Sequence, residues 1–291
     1  MHAIVGIERA RLGKSAVQLL KNLDFPGLSM EFVHVIESMQ VPGWGHASWL
    51  SPDVFAEAYR ERSDEGQEIL KQAVESAGMP DAPRTLLTGY VADQILARAA
   101  ETEADLIAVD AAEKKPLAAF LLGSVSRALV VSAKTNLLIA KGQVEPSDSV
   151  HAVLATDHSE YCNKCIERLI EMRPRGLRKL TVLTSYPRSL MDVLRPTLPD
   201  FALNPAVWIE EHLHQHNQEL IGRLSAAGWE CESRVVGAPP YEAIPEAMRE
   251  TGAQLLILGA QGHGVVQRLT LGSVSFHQVS NESYPVLVLR V

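Results

Sequence analysis

The chain has 291 residues, about twice the commonest domain size, and its 46% hydrophobic and 21% charged residues are enough to bury a core in each of two halves. Its formal net charge is −8, with 14 basic against 19 acidic residues in 1–147 and 13 against 16 in 148–291, which argues against a nucleic-acid partner, since phosphate backbones need clustered Lys and Arg. No apolar run nears the ~20 residues of a membrane span, Met1 leads straight into the strand-like His2 to Val5, and three cysteines form no disulfide framework, so a reduced, soluble, cytoplasmic chain is expected.

Taken in chain order, short β-branched-rich runs at 3–7, 30–36, 84–87, 106–109 and 136–140 are predicted as strands, separated by helical patterns at 11–24, 53–77, 91–103 and 124–133. The polar stretch 142–149 follows, and its Gly142 and Pro146 cannot extend the strand before it, so domains are placed at 1–145 and 149–291. Beyond it, strands are predicted at 152–155, 180–184, 231–236, 255–258 and 286–289, with helices at 159–172, 203–227, 240–251 and 273–281. Strands that are apolar throughout belong in a parallel sheet covered on both faces. The expected fold class is α/β: two tandem doubly wound domains, each a five-stranded, mostly parallel sheet.

The two halves are copies of one another. Setting each residue beside the one 149 positions later pairs Ala104 to Val109 with Ala253 to Leu258, and Leu122-Gly123-Ser124-Val125-Ser126 with the identical Leu271-Gly272-Ser273-Val274-Ser275. Gly89 answers Gly237 with a one-residue slip, and Ile4 to Glu8 answers Val153 to Asp157. This is a tandem duplication.

The most informative stretch is 256–275. The strand ending at Leu258 is broken by Gly259, and Gly262 and Gly272-Ser273 follow at a spacing suited to a phosphorylated ligand. Glycines permit positive φ and close backbone approach, and the start of a helix at Gly272-Ser273 offers free N–H groups and the positive end of its dipole to an anion. In doubly wound folds ligands bind outside the carboxyl ends of the strands where strand order reverses, so Asp157 and the loop after Leu258 are expected to face one crevice.

These residues resemble a family. Gly259-x2-Gly262-x9-Gly272-Ser273 is similar to the ATP-binding pattern of universal stress proteins, and Thr156-Asp157-His158-Ser159 sits where that family carries an Asp after its first strand. The match runs over nearly all of both halves and looks like a tandem universal stress protein, in which two such domains mimic the family's homodimer by pairing their last strands, 136–140 and 286–289. The resemblance implies an adenine nucleotide, ATP with or without Mg²⁺, held by Leu258, Gly259, Gln261, Gly262, Gly272 and Ser273, with Val274 and Ser275 continuing the helix start. It implies that Thr156 and Asp157 meet the ribose or adenine, and that the main chain at Thr184 reads the adenine edge. An intramolecular pseudo-dimer is implied, with a further homodimer as an extension of it. Read without the family, Asp157 and Ser159 suit helix capping, and the glycines suit tight turns.

The first half departs from the pattern where it matters. Asp110 stands in the place of Gly259, Glu113 in that of Gly262 and Glu8 in that of Asp157. An anion brought against these carboxylates meets like-charge repulsion in a partly desolvated cleft, on the order of a few kcal/mol per contact. The N-terminal pocket is expected not to bind ATP.

Three functional classes stay open. The first is a nucleotide-binding sensor or regulatory module of the stress response. The second is an enzyme, a slow ATPase or a relative of adenylate-type α-hydrolases; yet the chain has no GxxxxGK[ST], and no SGGxDS-type loop at Ile7 to Ala10 or Thr156 to Ser159. His263, Arg268 and His277 lie near the motif without anything to orient them, so binding with at most weak hydrolysis is expected, and no catalytic residue is assigned. The third is an assembly or chaperone-like scaffold with a vestigial pocket.

Two further groups carry metal-ligand spacing. His158, Cys162 and Cys165 form H-x3-C-x2-C, and His212, His214 and His216 form HxHxH. Cys162 with Cys165, or His212 with His216, share a helix face, but neither pair shows a complete ligand set, so buried thiols and a solvated helix face are the plainer readings; His212 and His216 are the candidate metal pair. Trp44, His46 and Trp49 fall in a Gly/Pro-rich loop suited to a partner surface or to folding over the pocket, and 186–205, with Pro187, Pro196, Pro199 and Pro205, reads as a lid or rim.

Overall fold

The computed structural model describes residues 1–37, 52–111, 123–189, 205–262 and 272–291. In the first half β1 (His2–Gly6), β2 (Ser29–Glu37), β3 (Arg84–Gly89), β4 (Leu106–Asp110) and β5 (Asn136–Ala140) alternate with α1 (Lys14–Leu23), α2 (Pro52–Ser76), α3 (Val91–Glu101) and α4 (Ser124–Ser132). The second half runs β6 (Val150–Ala155), α5 (Glu160–Met172), β7 (Leu177–Ser185), α6 (Pro205–Ala226), β8 (Glu230–Val236), α7 (Pro240–Thr251), β9 (Leu255–Gly259), α8 (Ser273–Asn281) and β10 (Val286–Leu289). The expected loop residues Trp44, His46 and Trp49, and most of the rim at 186–205, lie outside the described residues.

All ten strands form one sheet in the order β3-β2-β1-β4-β5-β10-β9-β6-β7-β8. Neighbours are parallel within each half, and the halves meet where β5 and β10 pair antiparallel, with Val286 opposite Ile139, Leu287 opposite Leu138 and Val288 opposite Leu137. The expected pairing of last strands is therefore present, and it joins two five-stranded sheets into one.

Alternation along each strand sends side chains to two separate cores. Ala3, Val5, Leu106 and Leu154 pack under α1, α2, α5 and α6, while Ile4, Ile107, Val153 and Leu256 pack under α3, α4, α7 and α8. Each fully buried Leu or Ile contributes about 1.5–3 kcal/mol relative to an exposed one. The amphipathic α5 shows how the helices earn their place, with Cys162, Cys165, Ile166, Leu169 and Met172 buried at helical spacing.

Where boundaries differ from the sequence reading, local chemistry explains the shift. Helix α1 starts at Lys14 rather than 11, because Leu12 and Gly13 take positive φ, 56° and 68°, and close the loop before it. Strand β7 starts at Leu177, three residues early, because the polar Arg178 and Lys179 conceal a segment that pairs with β6 across an irregularity at Val150/His151. The linker is tied down, with Asn22 donating to the Glu145 carbonyl and accepting from Ser147, and Ser15 Oγ donating to the Gly142 carbonyl. Duplication is visible in the backbone too: α1 and α5 end on Asp24 and Arg173, both left-handed at φ 50° and 45°.

Candidate functional site

Beyond the carboxyl ends of β6 and β9, which stay paired as far as Ala155 and Leu258, lies a cleft of about 260 Å³, lined also by the start of α7 and the start of α8. Its walls divide by chemistry. Ala155, Leu183, Leu258, Pro240, Ile244 and Val274 form an apolar side, and Asp157, Ser185, Gln261, Gly262, Gly272 and Ser273 a polar one. A flat apolar slot beside a polar rim suits a heteroaromatic base carrying hydroxyl and phosphate groups.

The motif glycines sit in tight places rather than at left-handed backbone angles. Among the described residues, positive-φ glycines occur at Gly13, Gly27, Gly78, Gly89, Gly142, Gly228 and Gly252, and at none of the motif positions. A Cβ on Gly262 would stand 2.4 Å from Asp157 Oδ2, closer than atoms can approach. On Gly259 it would meet the Gln261 carbonyl at 3.3 Å and Cys165 Sγ at 3.5 Å, and on Gly272 the Ala260 carbonyl at 3.3 Å. The Gly272 N–H donates to that same carbonyl at 2.7 Å, which fixes the helix start against the end of β9. Gly272 is the N-cap of α8 and brings no side chain, so no side-chain cap engages the first N–H groups of α8.

The turn between β6 and α5 presents Asp157. Thr156 Oγ1 accepts from the His158 N–H at 3.0 Å, and Asp157 Oδ1 accepts from the Ser159 N–H at 3.0 Å. Ser159 is the N-cap of α5, its Oγ accepting from Cys162 N. Capping thus falls to Ser159, while Asp157 extends its second oxygen toward Gly262. Thr156 is 7% exposed and its hydroxyl is spent on the turn, so it shapes the site through the backbone. Ser275 acts likewise, its Oγ donating to the Gly259 carbonyl at 2.7 Å.

Thr184 does not bring its side chain to the cleft. Its hydroxyl donates to Asn217 Oδ1 at 2.7 Å and lies 3.1 Å from His158 Nε2, on the α6 side of the sheet, while its neighbours Leu183 and Ser185 face the cleft. Ala155, Leu183, Ser185, Pro240 and Ile244 escaped the sequence reading. Strand alternation around Thr184 was the available signal for Leu183 and Ser185, and the start of a helix after the switch-point strand was the signal for Pro240 and Ile244.

The H-x3-C-x2-C group is dispersed by the fold. Cys162 Sγ donates to Thr156 Oγ1 and Cys165 Sγ to the Leu289 carbonyl, both at 3.4 Å and both buried. Burial raises the Cys162 thiol and pushes Cys165 up to about 12. His158 turns away to Asn217, and burial holds its imidazole below the usual range against that bond.

In the first half the corresponding cleft, about 380 Å³, is lined by Glu8, Glu37 and Asp110 together with His34, Gly123 and Ser124. Asp110 Oδ1 accepts from the Ala16 N–H at 2.7 Å, so a carboxylate of the chain itself occupies the N-terminus of α1. Burial raises its pKa, and the N–H groups of Ala16 and Ser15 oppose the rise. Glu113 lies outside the described residues. A larger hollow of about 560 Å³ lies beside α1 and contains Arg9, Arg11, Lys14 and Lys21. Three of these cations are already committed, Arg9 to Glu65, Arg11 to the Ala111 carbonyl and Lys21 to the Ala77 carbonyl.

A family model described as the universal stress protein family matches residues 2–141 and again 151–290. The chain belongs to that family. It is a tandem universal stress protein, two domains in one polypeptide, as the duplication and the joined sheet require. A universal stress protein from Archaeoglobus fulgidus DSM 4304 superimposes with a TM-score of 0.68 at 16% identity, covering 99% of this chain and 98% of that one. A protein of Pseudomonas aeruginosa PAO1 described as functionally unknown superimposes with a TM-score of 0.60 at 14% identity, covering 99% and 92%. At such identities the likeness is one of fold. No curated protein matches the sequence. Among the described residues no helix is long and apolar enough to cross a membrane.

Proposed function

We propose that this universal stress protein binds ATP in the cleft of its C-terminal half and serves the stress response as a nucleotide-dependent sensor or regulatory module, with the N-terminal cleft silent. The observation that carries this reading is the contact between Gly262 and Asp157, where a single added carbon would lie 2.4 Å from the carboxylate oxygen. The chain keeps a glycine at a point where backbone and an acidic side chain close together on a shared ligand space. The base enters the apolar slot, Asp157 accepts from hydroxyl or amino groups, and the phosphates lie on the start of α8 with the Ser273 hydroxyl. Mg²⁺ accompanies the phosphates as their counter-ion.

The same cleft supplies weak grounds for turnover. Asp157 is held in a turn, the Ser275 hydroxyl is spent on a carbonyl, and no lysine lines the cleft among the described residues, so binding rather than hydrolysis is its chemistry.

Calorimetry with ATP on the full chain is expected to give one site, abolished by Gly262→Glu, with phosphate release at background. Two sites per chain, or unchanged binding in the variant, would overturn the asymmetric model.

A further inference from the structure

Helix α6 carries Trp208, His212 and His216 at intervals of four residues, so the three rings follow one another along one face. Trp208 and His212 stack with centroids 5.4 Å apart and planes within 5°. His212 and His216 meet edge to face at 4.7 Å, and their Nε2 atoms are 3.2 Å apart. Both histidines are exposed. Two imidazole lone pairs do not face each other at that distance unaided; either one proton or one cation lies between them.

The separation also fits a chelate. Two nitrogens bound at about 2.0–2.1 Å to one tetrahedral ion stand roughly 3.3 Å apart. Glu219 Oε2 lies 3.9 Å from His216 Nδ1, on the side that favours a proton on Nδ1 and leaves Nε2 for a metal. The ring of His158 stands 5.5 Å from that of His216 and forms a wall, its Nε2 engaged by Asn217 and Thr184. His214 is separate, bonded to Ser233. The stack on Trp208 holds His212 in place and lowers the entropy lost on closing the chelate.

We propose that His212 and His216 bind one divalent transition-metal ion of the zinc, nickel or copper class, with water completing the shell. Among the described residues no three His, Cys, Asp or Glu groups converge, so this is an open two-nitrogen site rather than a closed structural one. It is independent of the nucleotide reading, and its test contains no nucleotide.

The nucleotide-free full chain is titrated with CuCl₂ at pH 7.5 while tryptophan emission is followed. Saturable quenching at one ion per chain is expected, lost in Trp208→Phe, with the apparent Kd raised by about tenfold or more in His212→Ala and in His216→Ala. Excess EDTA is expected to reverse the quench. Electron paramagnetic resonance of the copper-loaded wild type, which depends on no variant folding, is expected to show two imidazole nitrogens. Quenching unchanged in both histidine variants, the absence of saturable quenching, or coupling to fewer than two nitrogens would overturn the site.

Discussion

Lys141 and Arg290 occupy equivalent positions, 149 residues apart and just beyond β5 and β10, and each reaches across the pseudo-twofold to the last helix of the opposite half. Lys141 Nζ donates to the carbonyls of Val279 at 2.7 Å, Glu282 at 2.8 Å and Gln278 at 3.3 Å, at the end of α8. Arg290 Nη2 donates to the Val130 carbonyl at 2.6 Å, in the last turn of α4. Cations belong at helix carboxyl ends, where the dipole is negative and carbonyls lack partners. The joined β5 and β10 thus carry a reciprocal pair of clamps.

Lys141→Met is expected to destabilise the chain by about 2–4 kcal/mol, since it leaves buried carbonyls without their donor. The gap also depends on pH. Burial lowers the Lys141 pKa to about 8 from 10.5, so between these values the unfolded chain binds more protons than the folded one, and the lysine's contribution rises with pH. Urea denaturation of both proteins at pH 7.5 and 9.5 measures it; the wild type is expected to gain about 2 kcal/mol on the variant over that interval. A constant gap would show that the ammonium keeps its ordinary pKa.

Gly176→Ala tests another contact between the halves. A Cβ there would lie 1.8 Å from the Asn22 carbonyl oxygen, and the Gly176 N–H donates to the Leu23 carbonyl at 2.9 Å, so the end of α1 and the approach to β7 are in backbone contact. Separating them to admit a methyl is expected to cost about 3 kcal/mol or more, read as a lower urea midpoint. A midpoint equal to wild type would mean that this contact yields freely.

The fold was legible because the strands are apolar without interruption and because Leu122 to Ser126 repeats as Leu271 to Ser275, which exposed the duplication, whereas the pairing of the last strands followed only from the family resemblance. The motif glycines were legible as a set, but their reason was not: spacing cannot distinguish positive φ from the closeness of Asp157 to Gly262. Asn217 was invisible. It is fully buried in α6 and bonds His158, Thr184 and Ser233, partners 59, 33 and 16 residues away that no local pattern connects.

Thiol labelling separates the buried cysteines from the third. Burial raises the pKa of all three thiols, so access is what separates them: Cys162 and Cys165 are buried, whereas Cys231 is half-buried. Since the thiolate is the nucleophile, a disulfide reagent at pH 8 is expected to label Cys231 alone in the native protein and all three thiols in urea. Rapid native labelling of Cys165 would contradict its packing beneath Gly259.

Asn217→Ala is expected to weaken ATP binding without touching the cleft. Asn217 Oδ1 lies 2.9 Å from His158 Nε2, its amide donates to Ser233 Oγ at 3.1 Å, and His158 directly follows Asp157 in the turn held by Thr156. Removing the amide leaves Thr184 and His158 with only each other, 3.1 Å apart, in a place where a lost buried partner costs about 1–3 kcal/mol. Part of this falls on the turn that aims Asp157 at Gly262. The expected result is an ATP Kd raised by about tenfold with one site per chain retained, whereas Ser233→Ala, which removes only the outermost bond, leaves the Kd within about twofold. Equal effects of the two substitutions would place the Asp157 turn under the control of the β6 backbone rather than of α6.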